Sequence, residues 1–135
     1  MIFAVIDTNV FVSGLLNPDN PPGRILKMVY EGKVAPVVTD DIFDEISRVL
    51  NYERFKFSRK IKSEIMAYLK SRVIKTGHLN LPVSGVPEDD LKFVIAAYES
   101  KANLIVTGNV RHFKAVADKI AVLTPAEFVS KAGYI

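Results

Sequence analysis

Asp7, Glu45, Asp90 and Asn109 lie far apart in the chain, each at a place where a strand or helix would present it. Carboxylate and amide oxygens suit a hard cation such as Mg²⁺ or Mn²⁺. Carboxylates gathered within a few ångströms raise one another's pKa unless a cation sits between them. A single ion held this way can supply hydroxide and neutralise charge on a phosphate. Two ions about 4 Å apart can stabilise both the attacking and the leaving oxygen in phosphodiester cleavage. Such chemistry needs no His, Cys or Ser, and the chain offers no good set of those. Cysteine is absent. His78 and His112 lack metal-ligand spacing and read as surface or loop residues.

The elements that must position these groups follow from the hydrophobic pattern. The apolar run Ile2–Ile6 stops at Asp7-Thr8-Asn9, which reads as a buried strand ending in a turn. Leu104–Val106 repeats that design, ending in Thr107-Gly108-Asn109. Ligands in an open parallel sheet gather just beyond the carboxyl ends of the strands. An irregular stretch is expected after the first strand, since 17–23 holds three prolines. A helix should start near Gly23 and stop at Gly32. Val34–Val38 reads as a strand that tolerates Pro36 only at an edge or near a strand end. Thr39 can cap a helix with Asp40, Asp41, Asp44 and Glu45 early and an apolar stripe at Ile42, Ile46, Val49 and Leu50. Glu45 falls on the border of that stripe.

Ser58 can cap a further helix, with Ile61, Ile65, Tyr68, Leu69 and Arg72 on one face. Val73–Thr76 reads as a short strand and Asn80–Gly85 as a loop. Pro87 precedes Glu88-Asp89-Asp90, an acidic start to a helix burying Phe93, Val94, Ala97 and Tyr98. Ile120–Leu123 as strand and Pro125–Ala132 as helix complete the chain. Alternating strands and helices mean a three-layer α/β/α fold around a mostly parallel sheet.

The 135 residues suit a single domain, 1–135, and 49% hydrophobic content suffices for a core. No apolar stretch approaches the roughly 20 residues that cross a bilayer, so no membrane partner is expected. The first strand lacks the basic flank of a signal peptide. Absence of cysteine removes disulfides and thiolate zinc sites and fits a cytoplasmic protein. A net charge of +3 allows an anionic partner without naming one.

Each acid alone has a plainer explanation. Asp89 and Asp90 suit a helix dipole, Glu45 a solvated edge, and Asp7 a turn. Asp7 is the hardest to dismiss, because a carboxylate directly after a buried strand must find donors, a cation or water. Taken together and in order, Asp7-Thr8-Asn9, Glu45, Asp89-Asp90 and Val106-Thr107-Gly108-Asn109 resemble the PIN-domain nucleases. The likeness spans essentially the whole chain and is closest to VapC-like toxins of toxin–antitoxin pairs. It implies a PIN fold and a Mg²⁺- or Mn²⁺-dependent ribonuclease, often a homodimer, held inactive by an antitoxin protein. By position, Asp7, Glu45 and Asp90 match the three central acids, with Asp89 as the alternative to Asp90 and with Asn9 and Thr107 in support. Asn109 departs from the family, where many members carry a fourth Asp. An amide oxygen ligates a hard cation without adding charge.

RNA is the expected substrate. Arg54, Lys56, Arg59 and Lys60, interleaved with Phe55 and Phe57, could bind phosphates and stack bases, as a candidate arm over the acidic site. The plainer reading is a solvated basic face over two core phenylalanines. Arg111-His112 could meet a phosphate beside Asn109. Tyr68 and Leu69, on a helix richer in apolar residues than one layer needs, are candidate self-association residues. Two other functions compete with the nuclease: a non-catalytic PIN-like module with a degraded metal site, which Asn109 favours, and a receiver-like phosphotransfer domain. The latter would need a further acidic pair near the first strand and a lysine after a late strand, and neither stands out.

Overall fold

The computed structural model describes residues 1–75, 83–100 and 102–132. Its centre is a four-stranded, all-parallel sheet: β1 (Ile2–Ile6), β2 (Val34–Pro36), β3 (Leu104–Val106) and β4 (Ala121–Leu123), in the order β2-β1-β3-β4. The α-helices are α1 (Thr8–Leu16), α2 (Pro21–Tyr30), α3 (Asp40–Leu50), α4 (Arg59–Arg72), α5 (Leu91–Ser100) and α6 (Pro125–Ala132). Helix α5 packs on β1 and β3, α2 on β2, and α6 on β4 and α2. This is a three-layer α/β/α arrangement with the sheet inside.

The strand order creates the place where a site can form. From β1 the chain moves to β2 on one flank, and from β3 to β4 on the other. Chain direction therefore diverges between β1 and β3, which opens a crevice beyond their carboxyl ends. Ile6 pairs with Val106 in register, so Asp7 and Thr107 stand abreast at that crevice. The Asp7 amide donates to the Val106 carbonyl (2.9 Å) and closes the pairing. Behind it Ala4, Val5, Ile6, Phe93, Val94, Ala97, Ile105 and Val106 are fully buried, giving the two strand ends a rigid floor.

Several elements differ from the expectations. The stretch after Asp7 is not irregular but forms α1, with Asp7 as its N-cap. Helix α2 starts at Pro21, before Gly23, because Asn20 caps it through the Gly23 amide (2.8 Å) and two prolines fit a first turn that needs no amide donors. β2 ends at Pro36, on an edge strand as its missing donor requires. Val38 instead bridges Val73, and the Ile74 amide bonds the Val38 carbonyl (2.9 Å). Beyond that single bridge the expected 73–76 strand is not formed at Ile74 and Lys75, while Thr76, His78 and residues 80–82 of the expected 80–85 loop lie outside the described residues. Thr39 and Ser58 cap α3 and α4 as expected. The acidic 88–90 segment is a 3-10 turn leading directly into α5. A longer 3-10 segment, Val110–Val116, follows Asn109.

Candidate active site

Asp7 is only 4% exposed. One carboxylate oxygen accepts the Thr107 hydroxyl (2.8 Å) and the other the Asn9 amide (3.2 Å). Burial raises its pKa above the usual carboxylate range. The hydrogen bonds from Thr107 and Asn9 oppose that rise, while the negative charges of Asp90 and Glu45 add to it. Asp7 thus lies near enough to feel both Glu45 and Asp90, although 83 residues separate Asp7 from Asp90 (90 − 7). Asp89 is exposed.

Glu45 sits on α3 at the border of the buried stripe and is largely but not fully buried. Its two oxygens are both engaged. Thr8, the first residue of α1, donates its hydroxyl to one. Lys92, on α5, brings its ammonium to 2.8 Å from the other. The residue following Asp7 therefore holds Glu45 directly. Asp90 has one oxygen 2.9 Å from Nδ1 of His112.

Thr107 is fully buried and bridges two parts of the site, donating to Asp7 and accepting the Asn109 amide (2.9 Å). Asn109 enters through its backbone, and its side chain stands exposed beside the crevice. Asn9 likewise contributes its amide rather than its side chain.

Three partners escaped the sequence: Thr8, Lys92 and His112. The Thr8 and Lys92 hydrogen bonds with Glu45 span 37 and 47 residues, and His112 meets Asp90 across 22. No local periodicity registers such pairings. The one available signal was position, since Lys92 follows Asp90 closely and His112 follows Asn109 at the start of a turn.

The basic segment is less simple than its composition. Phe55 and Phe57 stack on each other (5.7 Å between ring centroids) and pack against the core. Arg54 lies over the rings of Tyr52 and Phe55 at 5.1 and 4.9 Å. The phenylalanine faces are thus taken up within the fold. Arg54, Lys56, Arg59 and Lys60 are exposed, as is Arg111. In the chain this segment follows the carboxyl end of α3, the helix that carries Glu45. Arg111 is the exposed cation placed by chain beside Asn109.

As the side chains stand, no three His, Cys, Asp or Glu among the described residues cluster around a point that could hold an ion. In type, the donors fit a hard divalent cation: three carboxylates and one amide oxygen, with no thiolate. In arrangement, Glu45 and Asp90 each hold a nitrogen partner that a cation would replace.

The PIN domain family model matches residues 4–111. This chain belongs to the PIN domain family. PIN domains are generally nucleases that use divalent metal ions. The matched span runs from the first strand through Asn109 and so includes every acid of the site. A protein of Methanocaldococcus jannaschii, described only as uncharacterized, is 34% identical over 143 aligned residues, covering 96% of this chain and 91% of its own. No solved structure matches significantly. Among the described residues of this PIN domain, no helix is long and apolar enough to cross a membrane.

Proposed function

We propose that the chain is a Mg²⁺- or Mn²⁺-dependent endoribonuclease whose cation is held by Asp7, Glu45 and Asp90, with the Asn109 amide oxygen as a neutral fourth donor. The observation that carries this reading is Asp7: a buried carboxylate at the point where chain direction diverges, its proton affinity raised by burial and by two further acids. A buried carboxylate with two further acids nearby is costly to keep charged without a compensating positive charge. When bound, the cation would supply Lewis acidity at the phosphate and a water of lowered pKa. The chain's own groups do the positioning. Thr107 and the Asn9 amide fix both oxygens of Asp7, Thr8 fixes Glu45, and His112 orients Asp90. Exposed Arg111, beside Asn109, is suited to draw a backbone phosphate toward the crevice. Arg54, Lys56, Arg59 and Lys60 would hold more distant phosphates of the same strand.

The test is cleavage of single-stranded RNA with Mg²⁺ or Mn²⁺. Internal cleavage is expected, lost on chelation with EDTA and restored by excess metal. RNA binding without cleavage under all metal conditions would replace this reading by the non-catalytic one.

The Asn109 role has its own measurement. Asn109→Asp adds a negative charge beside the cation and should tighten Mn²⁺ binding by about tenfold, roughly 1.4 kcal/mol, in calorimetry. Identical binding curves would remove Asn109 from the donor set.

We further propose that the protein acts as a toxin restrained by an antitoxin, following the VapC-like proteins its motifs resemble. Copurification with the product of an adjoining gene, with loss of cleavage in the complex, tests this. Self-association is proposed through the apolar groove of about 480 Å³ between α1, α2 and α4, lined by Leu26, Val29, Tyr30, Ile65 and Tyr68 among others. Leu69 is already buried within the monomer and is not available as an interface residue. Light scattering at micromolar concentration should give twice the 15.0 kDa chain mass, and a monomeric mass would count against the dimer.

A further inference from the structure

Lys92 is the one ammonium paired with the acids of the site among the described residues, and neither the fold nor the family match assigns it a role. Its Nζ lies 2.8 Å from Glu45, and the two side chains are only 18% and 16% exposed. The Phe93 ring, 5.8 Å from the same nitrogen, helps shield it from solvent. The pair is therefore less weakened by water than a surface ion pair would be. The other oxygen of Glu45 is held by Thr8. A cation arriving at Glu45 would compete with these two partners for its oxygens. Thr8 is neutral and buried in α1, whereas Lys92 is charged and would be repelled.

We propose that Lys92 is the resident counter-cation of the acidic site, holding Glu45 when no divalent ion is bound and releasing it when one is. This role rests on the metal reading above. It makes Lys92 a positioning residue acting through Glu45. In the metal-free protein it removes part of the repulsion among Asp7, Glu45 and Asp90, and keeps Glu45 aimed at Thr8. Its charge also opposes metal loading, so the protein is folded and pre-shaped without metal but binds the ion less tightly than three acids alone would.

Two measurements test the exchange. The first uses the wild-type protein: reductive methylation of lysines, followed by mass spectrometry, with and without saturating Mn²⁺. Lys92 should be protected in the metal-free state and become several-fold more reactive on loading, while lysines remote from the site stay constant. Unchanged Lys92 reactivity in a protein that demonstrably binds Mn²⁺ overturns the proposal. The second is calorimetry with Lys92→Gln and Lys92→Arg. Removal of the positive charge should tighten Mn²⁺ binding by at least about tenfold, and arginine should restore wild-type affinity. A purely structural ion pair predicts the opposite sign, because its loss would let Glu45 wander and weaken binding. Weakened or unchanged affinity in Lys92→Gln overturns the role. Should that variant not fold, the methylation experiment decides alone. A wild type that binds no Mn²⁺ in calorimetry overturns the metal reading itself, and this role with it. That result is distinct from one in which Mn²⁺ binds and Lys92 stays protected.

Discussion

Asp7→Asn should abolish RNA cleavage while leaving the fold at least as stable as before. Asparagine is as good an N-cap as aspartate, so α1 keeps its start. The amide oxygen can still accept from Thr107 or from Asn9, so one of these two bonds is lost together with the charge. Loss of an outer partner of a metal ligand costs about 10- to 100-fold, so loss of a ligand's charge should exceed a hundredfold in kcat/KM. The stability effect has the opposite sign. The folded-state pKa of Asp7 is raised, chiefly by burial. The folded chain therefore binds this proton more readily than the unfolded chain. Without metal, stability rises as the pH falls from neutral through the folded pKa, and charge on Asp7 opposes folding above it. Asp7→Asn should remove that dependence and raise the metal-free Tm at neutral pH. For a gain of about 1 kcal/mol the rise is about 3–6 °C in a domain of this size. A variant with wild-type turnover would remove Asp7 from the reaction. A lower Tm at neutral pH would show that the charge is compensated by the fold rather than reserved for a cation.

Thr107→Val is expected to be the most damaging single change to stability at the site. The shape is conserved, so the packing against β1 and β4 survives. Two hydrogen bonds do not: the hydroxyl to Asp7 and the Asn109 amide to the hydroxyl. Thr107 is fully buried and Asp7 nearly so. A buried group left without its partner costs about 1–3 kcal/mol, more when charged. A loss of about 2–3 kcal/mol in urea unfolding is expected at neutral pH. The loss should shrink as the pH falls and Asp7 takes up a proton, sooner than an ordinary carboxylate would. Thr107→Ser keeps the hydroxyl and should stay within about 1 kcal/mol of wild type. If valine and serine behaved alike, the hydroxyl would not be what holds Asp7.

The sequence was most legible where apolar runs end abruptly in polar groups. β1 and β3 occupy the expected Ile2–Ile6 and Leu104–Val106. The caps at Thr39 and Ser58 and the helix Pro125–Ala132 also stand as expected, since each is set by neighbouring residues. Helix α1 was hidden by its own composition. Val10, Phe11, Val12 and Gly14 are poor helix formers, and the segment is apolar on most sides because it is buried on most sides. Its signal was Asp7 itself, read as the end of a strand when it is also the start of a helix. At the site, the acids could be listed in order, because strand ends and helix starts announce them. Their partners could not. Whether Glu45 meets Lys92 depends on how α3 and α5 settle beside β1, which follows from packing over the whole domain and not from spacing within either helix.

The bond between Thr107 and Asp7 joins residues 100 positions apart. β1 is made first, yet its central neighbour β3 is among the last strands to leave the ribosome. At about 5–20 residues per second, the interval between the two is seconds long. Throughout it Asp7 has neither the hydroxyl that orients it nor the strand that buries it. A chain interrupted before residue 107 lacks the Thr107 hydroxyl and carries its first acid unseated. The domain thus cannot acquire its assembled crevice piecemeal during synthesis, because that crevice closes only when the third strand arrives.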